Sequence, residues 1–185
     1  MKTLNACGDG GVLTTNDERL AEQFRELRNL GLRNRDACMT WSSNSRLDTV
    51  QAAVLLVKLR SLETWTRARR EHAAFYREAL AGVPGVQAPD ERPEEWAVYH
   101  RFVIQAERRD LLKRWLTEQG IETAIHYPVP IHLQPAASGL GYGRGSFPVT
   151  ERQAGRILSL PVYPELTEPQ RERVVRAIQE FYACR

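Results

Sequence analysis

Residues 47–82 read LDTVQAAVLLVKLRSLETWTRARREHAAFYREALAG, a long helical pattern without a proline before Gly82. Its apolar residues recur mostly at three- and four-residue steps: Leu47, Val50, Val54, Val57, Leu62, Trp65, Phe75 and Leu80. Because this is long for a globular helix, the pattern predicts either a single connecting helix or two helices that meet near Arg60. It divides the chain into an N-terminal part, residues 1–60, and a C-terminal part, residues 61–185.

The N-terminal part is predicted to contain a strand, a helix and an irregular segment. Residues 9–15 (DGGVLTT) indicate a glycine turn that leads into a short strand. The next helix begins at Asn16 or Asp17 as its cap and ends at Gly31. Its apolar positions are Leu20, Phe24, Leu27 and Leu30. Residues 32–45 are polar and aperiodic, and loops of that length in compact domains are usually functional or mobile.

The C-terminal part alternates strands and helices after a proline-rich loop over 82–93. Strands are predicted over 97–106, 121–127 and 159–163, and helices over 110–119, over 150–158 and from Thr167 onward. The helix over 150–158 is expected to start with a capping box at Thr150, and residues 128–148 are expected to lack regular structure. The order β-α-β-α-β-α predicts a small α+β domain.

Composition excludes several classes of protein. The chain has 185 residues, of which 42% are hydrophobic and 26% charged, so it can bury a core and is not expected to be disordered. No apolar run approaches the ~20 residues that span a bilayer, and the first residues lack the apolar stretch of a secretory signal, so we expect a cytoplasmic protein without a membrane partner. Its three cysteines have no CxxC spacing, which predicts reduced thiols and no metal site.

The charge pattern argues against nucleic-acid binding. The net charge is +3, but basic and acidic residues alternate through 63–78 and 168–180, as on solvated helix faces. Almost all the positive charge is arginine, and the lysines are Lys2, Lys58 and Lys113. This scarcity matters because only a lysine side chain offers an amine that can react with a carbonyl cofactor.

Three segments are candidates for chemistry. Lys2 precedes the glycine-rich residues 7–11, where a backbone can turn tightly next to a ligand, although a lysine at this position is more often a frayed surface residue. His126 and Tyr127 enter a proline-stiffened loop, although a histidine there commonly just binds a carbonyl group. Asn44 stands before the long helix, where either it or Ser45 could be a plain N-cap.

Six motifs, in this order, resemble the DegT/DnrJ/StrS family of sugar aminotransferases, pyridoxal-phosphate enzymes of the aspartate aminotransferase fold. The motifs are KTLNACGDGG (2–11), LRNLG (27–31), NSRLD with QAA (44–48 and 51–53), HYP (126–128), FPVTE (147–151) and LSLP (158–161). The resemblance covers essentially the whole chain but only the C-terminal half of a family member. It implies an α/β fold, the C-terminal half of a type I pyridoxal-phosphate transferase, with the end of the large domain over 1–60 and a connecting helix and small α+β domain over 61–185.

The resemblance also implies roles for individual residues. Lys2 matches the catalytic Schiff-base lysine that binds pyridoxal 5'-phosphate and transfers protons, so its amine is expected to be desolvated or close to other cations. Asn44 matches a residue near the cofactor phosphate, and Arg46 one near the substrate, both reaching across a dimer interface. His126 and Tyr127 match a pair that approaches the nucleotide-sugar site, also from the partner. The implied activity is transamination of a nucleotide-linked keto-sugar, with glutamate or glutamine as the amino-acid donor.

Two residues depart from the family pattern. Asn5 replaces a usual glycine and could strain the loop after Lys2, and Leu30 replaces a frequent histidine. Related sugar dehydratases have histidine in place of the lysine, so Lys2 favours transamination.

The chain is expected to work as a homodimer or with an N-terminal half and to be nearly inactive alone. The alternative is a catalytically inactive dimerisation or regulatory module.

Overall fold

The computed structural model describes residues 2–183, which form two compact units that meet in sequence between Glu63 and Thr64. The first unit contains helices α1 (Glu18–Leu27) and α2 (Thr49–Leu59). Helix α3 (Leu62–Ala79) follows directly, and the interruption at Arg60 and Ser61 confirms the alternative of two helices in the long apolar pattern.

The first unit has helices but no strand among its described residues. Asp17 caps α1, since its Oδ1 accepts hydrogen bonds from the N–H groups of Arg19 (2.9 Å) and Leu20 (3.4 Å). The strand predicted over 9–15 is wrong: these residues are exposed and irregular, because a strand needs a neighbouring backbone and no described residue pairs with them.

The irregular segment after α1 is folded by a few backbone contacts. Isolated bridges join Asn29 to Asn44 and Leu32 to Cys38, and the N–H of Met39 donates to the carbonyl of Gly31 (2.8 Å). The prediction of an aperiodic excursion is confirmed, and the bridges show that it returns to its starting point.

The second unit is built on a three-stranded antiparallel sheet in the order β1-β2-β3. The strands are β1 (Val86–Gln87), β2 (Phe102–Ala106) and β3 (Ile157–Leu160). The helices after α3 are α4 (Arg109–Glu118), α5 (Pro148–Ala154) and α6 (Glu168–Ala183), with short 3₁₀ turns at Ile131–Leu133 and Pro135–Leu140. No described helix is long and apolar enough to traverse a bilayer.

The core of this unit lies against β2. Its residues alternate between buried and half-buried, and Phe102 is fully buried against the ring of Tyr76, with ring centroids 5.2 Å apart. Leu112 of α4 and Ile178 of α6 are also fully buried, and the indole N–H of Trp115 donates to the carbonyl of Ala177 (2.8 Å). Apolar burial of this kind contributes most of the folding free energy of a small domain.

The helix predictions of the second unit hold better than the strand predictions. Helix α4 ends before Gly120, which has a φ of +71°, and α6 begins one residue after Thr167. The capping box at Thr150 is wrong, because α5 already starts at Pro148. Glu151 instead accepts hydrogen bonds from the N–H groups of the preceding loop, at Gly145 (2.8 Å) and Phe147 (3.4 Å).

Three strand predictions need correction. The strand over 97–106 begins only at Phe102, because Tyr99 has a φ of +44° that breaks extended backbone. The strand over 121–127 is reduced to one bridge, between Ala124 and Ser159. The strand over 159–163 is shifted to β3, since Pro161 has no N–H with which to continue the ladder. The two-residue strand β1 lies in a segment that was expected to be a loop.

A buried carboxylate holds the segment before β2. Glu91, whose side chain is 7% exposed, accepts hydrogen bonds from the N–H of Ala97 (2.8 Å) and from Arg70 (2.6 Å), Arg77 (3.2 Å) and the hydroxyl of Tyr99 (2.8 Å). The bond from the Ala97 N–H, followed by those from Arg70 and Tyr99, lowers the pKa of Glu91 to about 2.

We expect Glu91 to make the second unit acid-sensitive. Its pKa rises from about 2 to its ordinary value of 4.5 on unfolding, so its stabilising contribution is complete above about pH 5 and is lost as the pH falls towards 2. The urea midpoint of the wild type should therefore decrease over this range more steeply than that of Glu91→Gln. Glu94→Gln, at an exposed position in the same segment, is the control and should follow the wild type. Parallel pH profiles for wild type and Glu91→Gln would contradict this account.

Candidate functional site

Lys2 lies at the start of a glycine-rich loop in the first unit, and its side chain is exposed. Side chains of α2 hold this loop: Gln51 Oε1 accepts from the N–H of Cys7 (2.8 Å), and Lys58 Nζ donates to the carbonyl of Asn5 (2.9 Å). Residues 2–63 of a single chain do not provide the expected desolvation of the Lys2 amine.

The glycines of this loop allow its close approach to α2. A Cβ at Gly8 would lie 3.1 Å from Gln51 Nε2, and a Cβ at Gly10 would lie 3.3 Å from Leu47 Cδ1. Asn5 needs no left-handed conformation, because the described non-glycine residues with positive φ are Leu30, Tyr99 and Arg108. The expected strain at Asn5 is therefore not found, and it is the other departure from the family pattern, Leu30, that has a φ of +61°.

Asn44 and Arg46 form one arrangement in the first unit. Asn44 Oδ1 accepts hydrogen bonds from Arg46 Nε (3.0 Å) and from the Arg46 backbone N–H (3.3 Å). Neither Asn44 nor Ser45 caps α2, whose N-cap is Asp48, so the plain capping interpretation is wrong. The amide oxygen of Asn44 instead fixes the direction of an exposed guanidinium group.

A cleft of about 1040 Å³ lies beside this pair within the first unit. Its lining includes the backbone of Gly10 and Gly11 and three arginines, Arg25, Arg28 and Arg46, whereas Lys2 and Asn44 are outside it. Guanidinium groups next to a glycine backbone suit an anionic ligand that presents several oxygens.

His126 and Tyr127 lie in the second unit with their rings edge to face at 5.5 Å. The guanidinium of Arg101 stands 5.6 Å from the centre of the Tyr127 ring, which is exposed. Burial, and secondly the positive charge of Arg101, lower the pKa of His126, so its imidazole is neutral near pH 7.

A buried serine, which the sequence reasoning missed, contacts His126. Ser159 Oγ is 2.9 Å from His126 Nδ1, and both residues line a cavity of about 530 Å³ together with Arg101 and Arg173. The sequence does contain a signal for this contact: a serine stands between Leu158 and Leu160 in a buried strand, and buried polar groups require a hydrogen-bonding partner.

The structure thus joins the predicted residues in two pairs, Asn44 with Arg46 and His126 with Tyr127, each within its own unit. The described residues contain no group of three or more His, Cys, Asp and Glu side chains that could hold a metal ion.

The donor types fit pyridoxal phosphate. Lys2 supplies a primary amine, the group that reacts with an aldehyde, at the head of a loop that Gln51 and Lys58 hold against α2. The amide of Asn44 and the guanidinium of Arg46 are suitable donors for phosphate oxygens. Lys2 would hold the aldehyde carbon of the cofactor, and Asn44 would bind near its phosphate.

We expect Gly31 to be required for the placement of Asn44 and Arg46. A Cβ there would lie 1.6 Å from the carbonyl oxygen of Thr40, a backbone clash that cannot relax locally. In Gly31→Ala, amide hydrogen exchange should accelerate at Met39 and Ser45, whose N–H groups bond to the carbonyls of Gly31 and Arg28.

The matched control for this change is Gly141→Ala. Gly141 has a φ of +75°, almost the same as the +74° of Gly31, but a Cβ there meets nothing within 4 Å. Both variants place an alanine in left-handed backbone, which costs roughly 1–2 kcal/mol of stability. Only Gly31→Ala adds the clash with the Thr40 carbonyl oxygen. Unchanged exchange at Met39 and Ser45 in Gly31→Ala would show that the turn does not hold this loop.

Comparison with known proteins agrees with the family resemblance of the sequence motifs. Residues 1–179 match the DegT/DnrJ/EryC1/StrS aminotransferase family. A dTDP-3-amino-3,4,6-trideoxy-alpha-D-glucose transaminase of Streptomyces venezuelae is 45% identical over 97% of this chain and 48% of its own length. A protein named pleiotropic regulatory protein from Geobacillus stearothermophilus is 45% identical over 98% of this chain and 49% of its own length.

A solved structure has the same fold. The crystal structure of DesV from S. venezuelae superposes with a TM-score of 0.94 and 44% sequence identity, covering 97% of this chain and 48% of that one. The chain therefore spans about half the length of the relatives that it matches.

Proposed function

We propose, since this chain belongs to the DegT/DnrJ/EryC1/StrS aminotransferase family, that it takes part in the transamination of a nucleotide-linked keto-sugar. Members of this family depend on pyridoxal phosphate, and the S. venezuelae relative is named as a transaminase of a dTDP-amino-sugar. The observation that carries the proposal is Lys2 at the head of a glycine loop that α2 holds through Gln51 and Lys58. The amino donor is an amino acid, glutamate or glutamine, and the reaction takes place in the cytoplasm.

Lys2 has the central catalytic role in this proposal. Pyridoxal phosphate, when bound, supplies an electron-withdrawing ring that stabilises negative charge on the carbon that loses a proton. With the cofactor bound, Lys2 Nζ would hold its aldehyde carbon, and the same amine, when free, would carry the proton to and from the reacting carbon. Both tasks require a neutral amine, so the assembled protein must shield Lys2 from water.

The arginine and histidine groups supply recognition of the substrate. Arg46 carries a guanidinium that Asn44 orients, and a diphosphate offers the paired oxygens that such a group binds best. His126 and Tyr127 add a neutral imidazole and a phenol beside the cation of Arg101. These groups together suit the anionic and hydroxyl-rich parts of a nucleotide sugar.

The surface of the first unit supports assembly with further protein. Helix α2 has no buried residue, although its sequence is mostly apolar. Val50, Leu56 and Val57 are 74%, 65% and 64% exposed in the single chain, and monomeric proteins rarely expose so many neighbouring apolar groups. We propose that a segment equivalent to the remaining half of the relatives covers this helix and that the working unit is a homodimer.

The proposal predicts that pyridoxal phosphate reacts with Lys2 in the assembled protein. The chain is produced together with the segment that matches the other half of its relatives, treated with the cofactor and reduced with borohydride. Peptide mass spectrometry should place a pyridoxyl adduct on Lys2, and Lys2→Arg should remove the adduct and the activity. The chain alone should form the adduct weakly and turn over little or nothing, because the amine is exposed.

Lys113→Arg is the matched control for this experiment. Lys113 is a half-buried amine on α4 and has no role in the proposal, so this variant should retain the adduct and the activity. Equal labelling of Lys2→Arg and the wild type would disprove the assignment of the catalytic amine. Full turnover by the chain alone would disprove the need for the other segment.

The dimer proposal predicts complementation between two inactive variants. If Asn44 acts on the cofactor of the partner, a mixed dimer of Lys2→Ala and Asn44→Ala chains contains one site with both residues intact. Mixing the two inactive proteins should then restore about a quarter of the wild-type activity: half of the dimers are mixed, and each mixed dimer has one intact site. Restoration should be absent when Lys2→Ala is mixed with the double variant, and its absence in the first mixture would show that Asn44 does not act in trans.

A second candidate function is a catalytically inactive dimerisation or regulatory module. The name of the G. stearothermophilus relative describes a regulatory protein, and it is as similar to this chain as the transaminase is. The borohydride experiment separates the two functions, since a regulatory module would need no reactive amine at Lys2.

A further inference from the structure

The backbone of Ser159 fixes the segment that leads to His126. Ser159 lies in β3, opposite Val103 of β2 in the central ladder. On its other side its N–H donates to the carbonyl of Ala124 (2.8 Å), and its carbonyl accepts from the N–H of Ala124 (3.3 Å). Ala124 stands two residues before His126, so the core of the sheet fixes the backbone that carries the imidazole.

The hydroxyl of Ser159 then fixes the ring itself. Ser159 is 7% exposed between two apolar neighbours, and within residues 2–183 its Oγ has a hydrogen-bond partner at His126 Nδ1, 2.9 Å away. A buried hydroxyl that fails to donate costs about 1–3 kcal/mol, which favours an O–H that points at Nδ1. In that arrangement Nδ1 accepts the bond as the unprotonated nitrogen, and the neutral ring carries its proton on Nε2.

The surroundings favour this neutral form. Arg101 and Arg173 line the same cavity as His126, and the charge of Arg101 would repel a positive charge on the imidazole. Glu122 is the acidic residue on the cavity lining, and His100 is a further imidazole there. An anionic ligand would compensate the two guanidinium charges, and it would find the Nε2–H donor of His126 beside them.

We propose that Ser159 is a positioning residue, which holds His126 so that its Nε2–H donates a hydrogen bond to a phosphate oxygen of the nucleotide sugar. The identity of this ligand rests on the function proposed above, whereas the Ser159–His126 arrangement does not depend on it. Ser159 itself does not contact the ligand.

Nitrogen NMR of the histidine-labelled chain, without cofactor, tests the arrangement. The wild type should show His126 as a neutral ring with Nε2 protonated and Nδ1 accepting a hydrogen bond. Ser159→Ala should shift the Nδ1 resonance and broaden the ring signals, and Ser159→Thr, which keeps the hydroxyl, should restore them. The resonances that disappear in His126→Gln are those of His126, which assigns them in the wild-type spectrum.

His132 serves as the internal control in the same spectra. Its Nε2 lies 3.1 Å from Glu151 Oε1 and it does not contact Ser159, so its resonances should stay constant if the variants fold. A proton on Nδ1 of His126 in the wild type would overturn the proposal without any variant. An unchanged Nδ1 resonance in folded Ser159→Ala would overturn it as well.

Binding of UDP to the assembled protein tests the role of the Nε2–H donor. Loss of one oriented hydrogen bond should lower the affinity for UDP about 3–10-fold in Ser159→Ala. Ser159→Thr should bind UDP nearly as tightly as the wild type does. Equal UDP affinity for wild type and Ser159→Ala would overturn the role in binding. Adduct formation on Lys2 should be the same in all three proteins, so failure of this inference is distinguishable from failure of the proposed function.

Discussion

The pairing of β2 with β3 is the constraint on which the second unit depends. Four residue pairs, from Phe102 opposite Leu160 to Gln105 opposite Ile157, join strands that are far apart in sequence. Phe102, Ile104 and Leu158 are fully buried, so the pairing creates the apolar surface against which Leu112 and Ile178 pack. Because antiparallel register determines which side chains share a face, it also sets the face on which the Ser159 hydroxyl contacts His126.

The features that local chemistry determines could be predicted from the sequence. Helix α4 and helix α6 follow from their apolar periodicity and from Gly120 and Thr167 at their ends, and the family follows from motifs that span the chain. The break between α2 and α3 was one of two alternatives, because no proline or glycine marks Arg60. The strands were predicted poorly, since the bounds of β1 and β3 depend on partners elsewhere in the sequence.

The candidate site could be predicted only in part, because its contacts also depend on residues that are far apart in sequence. A motif identifies Lys2, Asn44 and His126, but it does not show that Asn44 orients Arg46 or that a buried serine binds the imidazole. Those contacts arise from a loop that returns to Arg28 and from a strand about 30 residues beyond His126. The sequence predicted a desolvated amine or one close to other cations, whereas Lys2 is exposed in the structure, so this environment could not be predicted from a motif.

The double hydrogen bond between Ala124 and Ser159 has a consequence for how recognition can change over evolution. A substitution behind β3, at a residue such as Leu158, would shift the strand slightly and carry the imidazole of His126 with it. With His126 in the role proposed above, replacements in the hydrophobic interior would change ligand preference while every residue that contacts the ligand keeps its identity.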